Sequence, residues 1–185
     1  TSFVGAATVR ELLRRGHTVT AIVRPASSKL DTILEGNEEA LLTGRLLVTE
    51  NDLSEPEKLL EKVTKPQDVF CHFGWGGSGS ASRTDKALQE KNMEISLETI
   101  RTAKALGCKK FLFSGSQAEY GMHQDLITED TVCEPKSLYG EAKLAMREKG
   151  EKLCGELGLR YIHARIFSAY GPGDHPWTLV ESCLD

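Results

Sequence analysis

The chain has 185 residues, a length that suits one domain, and a net charge of −4 that argues against a nucleic-acid-binding surface. At 39% hydrophobic and 27% charged it has an ordinary globular composition. No apolar run is long enough to span a bilayer, and the opening residues TSFVGAATVRELLRRG lack the basic-then-apolar pattern of a secretory leader. The five cysteines (Cys71, Cys108, Cys133, Cys154 and Cys183) are odd in number and include no C-x-x-C pair, which argues against a disulfide framework or zinc site. They read as small buried apolar residues of a cytoplasmic protein.

In chain order, Val9, Leu12 and Leu13 make an apolar helical stripe between Thr8 and Arg15, stopped by Gly16. HTVTAIVR (His17 to Arg24) is short and β-branched and predicts a strand, ended by Pro25 and the serines. RLLVTEND (Arg45 to Asp52) predicts the next strand. Ser54 followed by Glu57 has the spacing of a capping box and predicts a helix through Val63. DVFCHFG (Asp68 to Gly74) predicts a third strand, leading into the loop GWGGSGSASR (Gly74 to Arg83). A long helix follows from about Thr84 to Leu106, stopped by Gly107. KKFLFSG predicts a strand, Ser137 to Gly158 a long helix, LRYIHARIF (Leu159 to Phe167) a further strand, and TLVESCLD a final helix.

Strands alternating with helices predict an α/β fold: a doubly wound parallel sheet with helices on both faces. Such a sheet is built outward from its first strand, and this chain opens on the first helix. Without that strand its neighbours would keep unpaired edges. The sequence therefore predicts a segment of a longer protein, residues 1–185 being one domain that would not fold well alone.

The strongest chemical signal joins SGSQAEYG (Ser114 to Gly121), at a strand end where open α/β sheets bind ligands, to YGEAK (Tyr139 to Lys143), at the start of a helix. Tyr139 and Lys143 are four residues apart and share one helix face. A tyrosine hydroxyl titrates near pH 10 in water. It serves as an acid/base near neutrality only when its anion is stabilised, here by an ammonium one turn away and by the positive charge of an oxidised nicotinamide. A shift of about three units needs roughly 4 kcal/mol, which charges at close range can supply. Ser116 would hydrogen-bond the substrate oxygen and hold it beside the tyrosine.

These motifs, in this order, resemble the extended short-chain dehydrogenases/reductases, the NAD-dependent epimerase/dehydratase group that acts on nucleotide sugars, through nearly the whole chain. The resemblance implies a Rossmann-type dinucleotide-binding domain with Ser116, Tyr139 and Lys143 as the catalytic residues. TSFVG looks like the tail of that group's glycine turn, placing Ser2, Phe3, Val4 and Gly5 against the cofactor. Gly5 matches the last glycine, and Ser2 stands where the middle one would be. NDL resembles the adenine-contacting Asp-Leu, here Asp52 and Leu53. DVFCHFG resembles the strand DVVxHLA, which brings in Phe73 and Gly74. Asn92 matches a helix asparagine of the pattern. ARIFSAYGPGD (Ala164 to Asp174) resembles RxxNVYGPGD, which brings in Ile166 and Phe167. The resemblance further implies a homodimer through the two long helices, Thr84 to Leu106 and Ser137 to Gly158.

Arg24 ends the second strand of such a fold, where NAD-preferring enzymes place an acidic residue. With Ser27, Ser28 and Lys29 nearby it suits a 2′-phosphate, so NADP is preferred to NAD, the alternative being a solvated strand-end arginine. Dehydratases of the group carry an acidic pair after the catalytic hydroxyl. Gln117 and Ala118 hold those places here, which argues against 4,6-dehydration, although Glu119 follows directly. Two catalytic readings stay open for a nucleotide-sugar substrate: reduction of a 4-keto sugar, which Arg24 and GSQAEYG favour, and C4 epimerisation. A non-catalytic dinucleotide-binding sensor or structural subunit is the alternative of another class. His72 reads as a packing or cofactor-loop residue, the other histidines show no metal-ligand spacing, and Trp75 could line the active-site mouth or simply pack.

Overall fold

The computed structural model describes residues 2–77, 81–171 and 173. The predicted helix TLVESCLD, together with Asp174 of the GPGD segment and Cys183, lies outside them. The described residues fall into two compact units, residues 2–52 with 168–171 and 173, and residues 53–77 with 81–167.

In the first unit, helix α1 (Phe3–Arg14) precedes strand β1 (Val19–Val23), the short helices α2 (Asp31–Leu34) and α3 (Glu38–Leu42), and strand β2 (Leu46–Glu50). The strands pair in parallel with Val19 opposite Leu46 and Val23 opposite Glu50. Ala6 and Leu13 of α1 bury against Ala21, Val23, Ile33, Ala40 and Leu46. The alternate residues Ile22 and Leu47 are exposed, as the two-residue period of a strand requires when one face is covered. α1 starts five residues before the apolar stripe because Ser2 caps it, its hydroxyl accepting the Gly5 N–H at 3.2 Å. The sequence pattern predicts no helix between Pro25 and Gly44. α2 and α3 are each about one turn long, and neither has a side-chain N-cap bond.

The second unit is a three-stranded parallel sheet in the order β3 (Val69–His72), β4 (Lys110–Ser116), β5 (Arg160–Ile166). Two helices of 20 residues each pack against it and against each other, α5 (Lys86–Ala105) and α6 (Leu138–Leu157). The register builds two rows of rings across the strands. Phe70, Phe111 and Tyr161 stack at 5.6 and 6.4 Å between centroids, and His72, Phe113 and His163 at 5.8 and 5.5 Å. Ile100, Ala103, Met146, Cys154 and Leu159 close this core. α6 ends at Gly158, whose φ of +67° is a left-handed conformation that costs glycine little.

One predicted element is corrected. The chain between Ser54 and Val63 forms a 3-10 turn (Pro56–Lys58), with Glu55 as its N-cap, followed by a single helical turn, α4 (Leu59–Lys62). Pro56, with its fixed φ and missing N–H, starts the turn one residue later than the Ser54–Glu57 spacing predicts. A capping box forms instead at Ser116 and Glu119. Within the described residues β1 pairs only with β2, and β3 only with β4, so each is an edge strand.

Candidate active site

The C-terminal end of β4 and the first turn of α6 bring the predicted catalytic residues onto one unit. Ser137 caps α6, its hydroxyl accepting the Gly140 N–H at 3.1 Å, and this fixes the turn that carries Tyr139. Gly140 permits the approach to β4's end: a Cβ there would fall 2.4 Å from the Ala118 carbonyl oxygen. Ser116 ends β4 and caps the 3-10 turn Gln117–Glu119, its hydroxyl accepting the Ala118 N–H at 3.2 Å. Its own O–H proton remains available to a substrate oxygen.

Lys143 is 2% exposed. Its ammonium donates to the Ser114 carbonyl at 2.8 Å and lies 4.0 Å from the Trp75 ring centroid, 4.6 Å from that of Phe113 and 5.8 Å from that of Tyr139. Burial lowers its pKa to about 7, although the Glu119 carboxylate pulls the other way. The Arg83 guanidinium sits 5.0 Å from the Tyr139 ring centroid, so two cations flank the tyrosine.

Glu119 is 0% exposed, and its role was not legible beforehand. Its carboxylate accepts from Arg165 Nε at 2.8 Å and from the Ser116 N–H at 2.7 Å, and pairs with His163 Nε2 at 2.9 Å. Burial alone would raise its carboxyl, but the bonds and charge of His163 and the donors from Arg165 and Ser116 outweigh that and hold it below the ordinary carboxylate range. Arg165 also donates to the Tyr120 hydroxyl at 2.7 Å and the Cys133 sulfur at 3.3 Å. Glu119 is thus committed to tying the turn after β4 to β5. The S-x-x-E spacing at Ser116–Glu119 signals only the capping bond to the Ser116 N–H, not the partners on β5.

The remaining predicted residues divide between the two units. Ser2, Phe3, Val4, Gly5, Arg24 and Asp52 belong to the first, with Ser2, Arg24 and Asp52 exposed. Leu53, Phe73, Gly74, Asn92, Ile166 and Phe167 belong to the second. Leu53 packs so tightly on Gly74 that a Cβ there would lie 2.6 Å from its side chain. Asn92 clamps the loop after β3, accepting the Gly76 N–H at 2.9 Å and donating to the Gly76 carbonyl at 2.8 Å. His72 is buried, bonded to the Ser96 hydroxyl at 3.2 Å, and its pKa is held down to about 3 by burial and by Lys143, so it packs as a neutral ring. Among the described residues no group of three or more His, Cys, Asp or Glu side chains could hold a metal, and no helix is long and apolar enough to cross a membrane.

The chain is 29% identical over 168 residues to D-erythronate dehydrogenase of Cupriavidus necator, a match covering 89% of this chain and 50% of the relative. It is 26% identical over 174 residues to a UDP-glucose 4-epimerase of Lactobacillus helveticus, covering 91% and 49% respectively. Among solved structures it is similar to UDP-N-acetylglucosamine 4-epimerase from Methanobrevibacter ruminantium M1, with a TM-score of 0.77 and 25% identity, covering 96% of this chain and 56% of that one. The chain spans about half the length of the curated relatives it matches. The model of the NAD dependent epimerase/dehydratase family matches residues 1–184, and the chain belongs to that family.

Proposed function

We propose that the full-length protein moves a hydride to or from one carbon of a nucleotide-activated sugar, with Tyr139 as acid/base, Lys143 as its cationic partner and Ser116 as the donor that orients the substrate oxygen. One observation carries this reading: a buried ammonium one helical turn from Tyr139, anchored to the strand end that carries Ser116. An unpaired buried charge is costly, and such a site persists where function uses it.

The donor set fits a nicotinamide dinucleotide. Beyond its bond to Ser114, the Lys143 ammonium has two further N–H donors for ribose hydroxyls. Gly74 and Gly76 give the loop after β3 two positions without a side chain, and the exposed N-terminus of α1 at Ser2 suits a pyrophosphate. The bound dinucleotide supplies the hydride acceptor or donor. Tyr139 takes the proton from the substrate hydroxyl, or returns one to the carbonyl, while Lys143 offsets the negative charge that forms on its oxygen. Ser116 donates its O–H to the same substrate oxygen.

Which sugar reaction follows rests on separate observations. The names of the two epimerase relatives favour C4 epimerisation. Arg24, exposed just past β1, favours an exchangeable NADPH and hence reduction of a 4-keto sugar. The commitment of Glu119 to Arg165 and His163 argues against 4,6-dehydration, since no carboxylate among residues 116–119 is left for the elimination step. The free cysteines suit a reducing cytoplasm, and the paired helices α5 and α6 offer a homodimer face.

The deciding experiment incubates the full-length protein with NADPH or NADH and a panel of nucleotide-linked sugars and 4-keto sugars. Stoichiometric loss of NADPH establishes the reductase. Interconversion of nucleotide sugars without net cofactor change establishes the epimerase. Neither reaction across the panel overturns the sugar-nucleotide reading.

A further inference from the structure

The side chain of Trp75 lies against both members of the proposed catalytic pair. It meets Tyr139 edge-on, with centroids 6.3 Å apart and an interplanar angle of 86°, and Phe113 likewise at 5.9 Å and 78°. The Lys143 ammonium sits in the corner between the Trp75 and Phe113 rings. Indole has the most attractive face of the protein side chains for a cation, and the contact strengthens as water is excluded.

The indole is itself fixed. Its N–H donates to Gln89 Oε1 at 3.0 Å, and Gln89, 2% exposed, donates onward to the Ser82 carbonyl at 2.8 Å. One turn along α5, Asn92 clamps both backbone groups of Gly76, the residue after Trp75. A ring held at its N–H and at its neighbouring backbone cannot swing away from the ammonium.

We infer that Trp75 is a positioning residue of the active site: its ring face, locked by Gln89 and Asn92, holds the Lys143 ammonium at the depth from which it serves Tyr139. The role rests on the reading of Tyr139 and Lys143 as the catalytic pair. The contact has two consequences. It confines the long lysine side chain to one place, and it favours the charged form of an amine whose burial favours the neutral one. The other charged or titratable groups around the amine are Glu119 on the turn after β4, His72 on β3, Tyr139 on α6 itself and, over the tyrosine ring, Arg83. Of these only Glu119 favours the ammonium; with Trp75 removed, its charge, the Ser114 carbonyl and the Phe113 ring are left to do so.

The test uses the full-length protein with Trp177, and any tryptophan beyond these residues, replaced by Phe. Trp75 emission is followed against pH. A transition near neutrality that disappears in Lys143→Met is expected, because the cation against the ring is then lost or absent throughout. This readout needs neither substrate nor a Trp75 variant that folds. In the active enzyme, Trp75→Leu is expected to lower kcat roughly three- to tenfold with little change in KM. It should also bring the alkaline fall in activity to lower pH by about half to one unit. Trp75→Phe, which keeps a weaker ring face, should fall between Leu and the parent. Emission that is unchanged by Lys143→Met, or a Trp75→Leu enzyme with the parental pH profile, overturns the inference. An intact emission transition in a protein inactive across the sugar panel overturns the functional reading alone.

Discussion

Glu119 and Arg165 form an ion pair 2.8 Å long in which the carboxylate has no exposure to solvent. Removing one partner of such a pair strands the other, and Glu119→Ala is expected to cost about 3–5 kcal/mol of stability. The pH dependence has a definite sign. The Glu119 carboxyl is held below its unfolded value, so its contribution is fully present above about pH 4.3 and is lost as pH falls through the lower folded value. Denaturant titrations of the full-length protein between pH 3 and 7 should show the difference between parent and Glu119→Gln shrinking toward the acid end. A difference that stays constant with pH would mean the pair contributes no charge-dependent stability.

Lys143 has the same sign of linkage at higher pH, but here it is the charged form that the fold disfavours. Its pKa is lowered to about 7 in the fold, so the unfolded chain binds more protons between there and about pH 10.4, and stability rises with pH across that interval. Lys143→Met should therefore stabilise the protein at pH 6 by about 2–4 kcal/mol while abolishing catalysis, with the gain vanishing toward pH 10. Equilibrium unfolding at both pH values checks this. Equal or lower stability of the variant at pH 6 would show that the ammonium is better compensated than its single carbonyl bond and ring contacts indicate.

The depth to which the sequence could be read follows from what each residue interacts with. Tyr139 and Lys143 were legible because their relation is local, four residues along one helix, and α6 forms where the pattern placed it. Strands β1 to β5 were legible from short β-branched or aromatic runs. The burial of Glu119 was not, because its partners His163 and Arg165 lie 44 and 46 residues away and meet it only through the β4–β5 register. Trp75 stayed ambiguous for the same reason. Nothing within a few residues shows that Lys143, 68 positions on, will sit against its face. α2 and α3 escaped because one-turn helices leave too little periodicity to detect.

Tyr139→Phe removes one oxygen and no packing, so it separates chemistry from binding. It is expected to reduce kcat by about 10²–10⁴-fold while leaving dinucleotide affinity within a few-fold and the unfolding midpoint unchanged. Unchanged biological activity of this variant in the cell would favour the non-catalytic reading, in which the same site only senses the dinucleotide.

Gly140 is expected to be as sensitive as a catalytic residue although it has no side chain. A Cβ at this position would press to 2.4 Å from the Ala118 carbonyl oxygen and 3.1 Å from Pro135, and a backbone atom cannot rotate aside. Gly140→Ala should cost about 1–3 kcal/mol and shift the first turn of α6, which carries Tyr139, away from Ser116. A displacement of about 1 Å can cost on the order of 100-fold in rate. The loss should therefore appear in kcat more than in the dinucleotide dissociation constant. Full activity with normal stability would show that α6 can move off the turn after β4 freely.

Arg24 tests the cofactor choice independently of the sugar. It stands exposed one residue beyond β1, where an acidic side chain would accept ribose hydroxyls and a guanidinium would bind a phosphate. In the full-length protein, Arg24→Glu should weaken NADPH binding by about tenfold or more, the order expected for losing one charge-assisted phosphate contact and adding a like charge. NADH binding should change little. Calorimetric titration of both dinucleotides gives the ratio directly. A parent that binds NADH as tightly as NADPH, with a ratio unmoved by the substitution, would make Arg24 a solvated strand-end residue. It would also remove the observation that favours 4-keto-sugar reduction over epimerisation.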